Sequence, residues 1–68
     1  MDIDNIFKYH SPDSNQIPKY DNIRKAAKEL AQVIINNTVP SADQTAAIRY
    51  LRIAVMTANA AIALKGTV

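Results

Sequence analysis

Between Ser41 and Leu64 the apolar positions fall into two parallel helical series rather than one. Ile48, Leu51, Val55, Ala58 and Ile62 recur at three- and four-residue steps, which places them on one face of a helix. Ala46, Tyr50, Ile53, Thr57, Ala60 and Leu64 keep the same spacing beside them. The stretch opens on Ser41-Ala42-Asp43-Gln44, where the serine hydroxyl and the Gln44 amide are spaced to satisfy each other's free backbone N–H groups. A helix packed on one neighbour needs a single apolar seam. The second series therefore predicts a further partner.

Upstream, a second helix is predicted over about 15–37. With Asn15 as N-cap, Pro18 falls in the first turn, where its missing N–H costs nothing. Tyr20, Ile23, Ala27, Leu30 and Ile34 form its stripe, widened by Ile17 and Val33. Asn36-Asn37-Thr38-Val39-Pro40 ends it, because Pro40 pushes Val39 out of helical geometry. So short a connection makes the two helices antiparallel. Gly66, just past Leu64 and Lys65, is a suitable stop for the second. Residues 1–14 read as an arm in which Ile3, Ile6 and Phe7 have the spacing of one helical turn, too short to be stable alone. Ser11-Pro12-Asp13-Ser14 closes the arm as a turn. The expected architecture is all-α. It is a single domain over 1–68, an antiparallel two-helix hairpin (about 15–37 and 41–64) with a short N-terminal arm, assembled into a homo-oligomer.

Size sharpens that expectation. A 68-residue chain buries only about 60% of the surface its unfolded form exposes, so it is marginal without disulfides, a metal or oligomerisation. Cysteine is absent, which fits a reducing compartment, and a single histidine, His10, gives no Cys/His cluster for zinc. Oligomerisation is the remaining route. Apolar runs stay well short of the ~18 residues that cross a membrane, and the acidic start Met1-Asp2-Ile3-Asp4 is unlike a secretory signal. The expected location is the cytoplasm.

Charge adds little in total, +2, and more in its placement. Asp13, Asp21 and Asp43 fall near predicted helix starts, where they complement the helix dipole. From Arg24 onward the bases Arg24, Lys25, Lys28, Arg49, Arg52 and Lys65 face only Glu29 and Asp43. A basic helical body of this size suits a small anionic ligand or RNA better than a long duplex.

Enzyme chemistry finds no support in these residues. The only glycine is Gly66, there is no cysteine nucleophile or His-x-x-x-His pair, and Asp21 and Glu29 are ordinary surface charges eight residues apart. No catalytic residue, metal ligand or cofactor is predicted. Binding chemistry is better supplied. Arg24 and Lys28 share a helix face at i, i+4 with Lys25 beside them, and such a group can hold phosphate oxygens. Arg49 and Arg52 form a second pair. Solvated basic faces are commoner than phosphate sites for both groups. Tyr9, flanked by Lys8 and His10, is placed to stack on a base, whereas Phe7 reads as a packing anchor and Tyr20, Tyr50 and Met56 as core or interface.

The runs Phe7-Lys8-Tyr9-His10-Ser11-Pro12, Tyr20-Asp21-Asn22-Ile23-Arg24-Lys25-Ala26-Ala27-Lys28-Glu29-Leu30-Ala31 and Leu51-Arg52-Ile53-Ala54-Val55-Met56-Thr57-Ala58-Asn59-Ala60-Ala61-Ile62-Ala63 resemble the phage anti-CBASS cyclic-nucleotide sponges, whose hairpin domain is shared with an anti-Thoeris sponge. The resemblance implies a non-enzymatic protein that holds cyclic di- and trinucleotide messengers intact in the cytoplasm of an infected bacterial host. It implies compact homo-oligomers, typically hexamers, with ligand sites between protomers. By motif it assigns Tyr9 as the stacking residue and Arg24 or Lys28 as the phosphate contact for dinucleotides such as 3',3'-cGAMP. A separate arginine serves trinucleotides in the family, and Arg52 is the candidate here. Base preference, and cyclised ADP-ribose as a further ligand, are left open. Two other readings compete: a module whose second seam receives a host protein helix, and a weak RNA binder with steep salt dependence.

Overall fold

A computed structural model describes residues 2–65 of the chain. Three helices follow one another: α1 (Ile3–Phe7), α2 (Ile17–Asn37) and α3 (Ala42–Ala63). Helices α2 and α3 pack along each other as a hairpin, and α1 packs on neither.

Helix α2 starts two residues later than the sequence suggests, and its cap is not Asn15. Asp13 Oδ1 accepts from the N–H groups of Asn15 at 3.0 Å and Gln16 at 2.9 Å, and the Asp13 carbonyl accepts from Gln16 and Ile17. Asp13, Ser14 and Asn15 are all competent caps, so residue type alone does not choose between them. Gln16 decides it, because its Oε1 reaches back to accept from the Asp13 N–H at 3.1 Å and closes the turn. Pro18 lies in the first turn, as its lack of an N–H allows.

At the other end of the hairpin, Thr38 leaves helical geometry with φ −129° and ψ 162°. Ser41 caps α3 by accepting from the Gln44 N–H at 3.1 Å. The reciprocal half of the expected capping box does not form. Gln44 Nε2 turns to the Thr38 hydroxyl at 3.0 Å and so ties the start of α3 to the end of α2. Asp43 lies in the first turn of α3 and Asp4 in that of α1. Asp21 instead falls a turn inside α2, where it pairs with Arg24 at 3.2 Å. The C-terminal turn of α3 closes on Lys65, which takes a left-handed φ of 53°. The predicted stop at Gly66 lies outside the described residues.

The predicted seam is the observed contact. Tyr20, Ile23, Ala27 and Ile34 of α2, and Ile48, Leu51, Val55, Ala58 and Ile62 of α3, are all half-buried. Leu30, expected in the stripe, instead stays half-open to solvent, as do the flanking Ile17 and Val33. No hydrophobic side chain among the described residues is buried. The second series on α3 is uncovered along its middle, where Tyr50 is 69% exposed and Ile53 is open with Met56 beside it, while Ala46 and Leu64 at its ends are half-buried. The molecule measures 42 × 26 × 15 Å, with a radius of gyration of 14.7 Å against ~11 Å for a compact chain of this length. Its accessible surface is 5567 Å², where compact monomers of 7.5 kDa expose roughly 4,200 Å². One chain is a layer a single helix thick, too thin to own a core.

Candidate nucleotide-binding surface

The arm is built from two local locks. Asp2 Oδ1 accepts from the Asn5 N–H at 3.1 Å and so starts α1. His10 Nε2 then donates to the Asn5 carbonyl at 2.7 Å, which places its proton on that nitrogen and satisfies an acceptor near the end of the helix. Between them Phe7 and Tyr9 project into solvent, 83% and 81% exposed. An arm holding two rings outside its own hairpin is presenting them to something else.

On α2, Arg24 and Lys28 lie one helical turn apart with Lys25 beside them, and all three are exposed. The Arg24 guanidinium donates to Asp21 Oδ1, and the side chains of that pair are 76% and 61% exposed. So open an ion pair is worth about 0–1 kcal/mol and yields readily to a phosphate. Arg52 stands on α3, also exposed.

Neither of the two main clefts is lined by Tyr9, His10, Arg24, Lys25, Lys28 or Arg52. The first cleft, about 490 Å³, lies at the open end of the hairpin among Asp13, Asn15, Gln16, Lys19, Ile62 and Lys65. Its lining carries two ammonium groups and the Asn15 amide beside the Asp13 carboxylate, whose Oδ1 accepts from two backbone N–H groups. Sequence inspection passed over Lys19 because it belongs to no charge cluster. The antiparallel pairing of residues 15–19 with 61–65 is the signal that would have found it beside Lys65. The second cleft, about 310 Å³, is an apolar groove between Ile23, Ala27, Leu30, Leu51, Val55 and Ala58. Small side chains at 26, 27, 54 and 58 hollow it. Nearby on α3, the Asn59 Oδ1 atom is buried and meets no donor among the described residues.

No set of His, Cys, Asp and Glu among the described residues could hold a metal. No helix among them is long and apolar enough to cross a membrane. The surface can bind an anion, stack a base and bury apolar faces. The family model for the hairpin domain of Acb2/Tad1 matches residues 1–63. No curated protein and no solved structure matches the chain.

Proposed function

The chain belongs to the Acb2/Tad1 hairpin-domain family, and from that premise we propose that it is a sponge. In this reading it binds cyclic di- and trinucleotide immune messengers, holds them uncleaved and so keeps CBASS effectors from firing. The observation that carries the reading is the family match over residues 1–63 of 68. Geometry supports it from a second side. Tyr9 and the Arg24–Lys28 face supply stacking and phosphate contacts, and neither is enclosed by its own chain.

The same reading requires assembly, with a second copy of this chain as the occupant of the open faces. The surface in excess of a compact monomer is about 1,300 Å², and a standard protein interface takes about 800 Å² from each partner. Apolar faces left open include Ile3 and Phe7 of the arm, the Tyr50–Ile53–Met56 seam, and the small-residue groove. Sites shared between protomers then bring Tyr9 of one chain to the cations of another, as in the family's hexamers. Lys19 and Lys65 in the open-end cleft offer a further pair of cations, alongside Arg52 as the candidate for a trinucleotide phosphate.

Subunit complementation tests the shared site. Tyr9→Ala and a double variant Arg24→Ala/Lys28→Ala each lose 3',3'-cGAMP binding in this account. Unfolded and refolded together, they should regain about a quarter of wild-type sites, because random assembly pairs intact halves at that frequency. Regaining none would place the site within one chain.

A further inference from the structure

The described chain separates its charges. Ahead of α2 stand Asp2, Asp4 and Asp13 against Lys8 alone, whereas bases outnumber acids along the hairpin. Helix α1 is also two-sided. Asn5 and Ile6 are half-buried, as is His10, which is fastened to the Asn5 carbonyl. The other side carries Ile3 and Phe7, neighbours at i, i+4, which are 62% and 83% exposed. Asp4 lies open one turn before Phe7 and meets no base among the described residues. Asp2, by contrast, is committed to the Asn5 N–H as the cap of α1. The outer side of the arm is thus a small apolar face edged by a carboxylate.

Helix α3 presents the counterpart. Tyr50, Ile53 and Met56 form its open seam, with Arg49 one turn before Ile53 and Arg52 one turn before Met56. Both arginines are exposed, and neither meets an acid among the described residues. Opposite charges at the rims of two apolar surfaces select the partner and fix its register. A seam laid on its own kind would instead set Arg52 against Arg52, a like-charge contact that disfavours the pairing. We propose that the arm of one copy of this chain docks on the α3 seam of a second copy, with Ile3 and Phe7 over Tyr50, Ile53 and Met56, and Asp4 beside Arg49 and Arg52. Each copy gives one arm and receives one. The contact rests on the assembly that the sponge reading requires and adds which surfaces meet. It also gives Phe7 the packing that its own chain does not.

The competing receptor is the arm's own seam. Gln16, buried in the turn before α2, donates from Nε2 to the Ile62 carbonyl at 3.0 Å across 46 residues of sequence, and so holds the root of the arm at the open end of the hairpin. Ile53 lies roughly 14 Å further along α3. The structure shows no packing of α1 on that helix.

Paired charge reversal tests the contact and separates the two receptors. Asp4→Lys puts a basic arm with a basic seam, and Arg49→Glu/Arg52→Glu puts an acidic arm with an acidic seam. Each should raise the concentration at which the assembly half-dissociates, read by sedimentation, about tenfold or more. Mixed, the two should assemble together, because the basic arm of one meets the acidic seam of the other and the acidic arm meets the basic seam. The triple variant Asp4→Lys/Arg49→Glu/Arg52→Glu should recover on its own with wild-type helicity, which shows that neither change simply unfolds the chain. Wild-type behaviour of Asp4→Lys or of Arg49→Glu/Arg52→Glu overturns the inference, as does a triple variant that stays dissociated. Recovery of the triple variant without recovery of the mixture assigns the arm to its own seam and likewise overturns it. A wild-type chain that sediments as a monomer overturns the assembly reading and the contact with it, whereas a wild-type assembly indifferent to the reversals overturns the contact alone. The nucleotide takes no part in these readouts, so a failure to bind 3',3'-cGAMP leaves the contact to be decided by them.

Discussion

Tyr9 gains nothing for the isolated chain, since its ring lies 81% in solvent and makes no contact that would reward the exposure. A base stacked on such a ring is worth roughly 1–3 kcal/mol. Tyr9→Ala should therefore weaken 3',3'-cGAMP about 10- to 100-fold in calorimetry without changing helicity. Unchanged affinity would remove Tyr9 from the site. On the cationic face, Arg24 and Lys28 are separable by the same method. Truncating the one that meets phosphate should cost about tenfold or more at low salt and progressively less as salt rises. Asp21 holds Arg24 only through an exposed pair, so Asp21→Asn should leave the melting temperature within about a degree.

At the scale of elements, helix period was the most legible feature of the sequence. All the predicted stripe residues of α2 and α3 except Leu30 are half-buried, because a 3.6-residue repeat is visible without a structure. Caps were legible only where one candidate stood alone. Ser41 was such a case, and Ser41→Ala should cost about 1 kcal/mol, seen as a melting shift of a few degrees. The start of α2 was not, because Asp13, Ser14 and Asn15 all qualify and a glutamine decided between them through a tertiary bond. Gln16 itself gave no signal in the sequence: a polar residue in a turn reads as solvated until its partner 46 residues away is known. The candidate site was legible as a set of residue types, Tyr9 with Arg24, Lys25 and Lys28. It was not legible as a place, since one thin hairpin leaves all of them on its outside.

For the whole molecule, the decisive quantity is the surface one chain leaves open. In the proposed assembly, a layer 15 Å thick with no buried hydrophobic side chain among its described residues draws its stability from other copies. Its melting temperature should rise with protein concentration, and Ile53→Asp on the open seam should yield smaller species in sedimentation, with reduced helicity. A particle of wild-type size would place that seam outside the interface. Ligand held between protomers should raise the melting temperature further with each increase in its concentration. The most direct test is calorimetric titration with a panel of cyclic di- and trinucleotides, followed by heat denaturation and chromatography of what is released. Tight, saturable binding with the nucleotide recovered intact is the predicted result. No binding across the panel, or recovery of a cleaved product, would contradict sequestration.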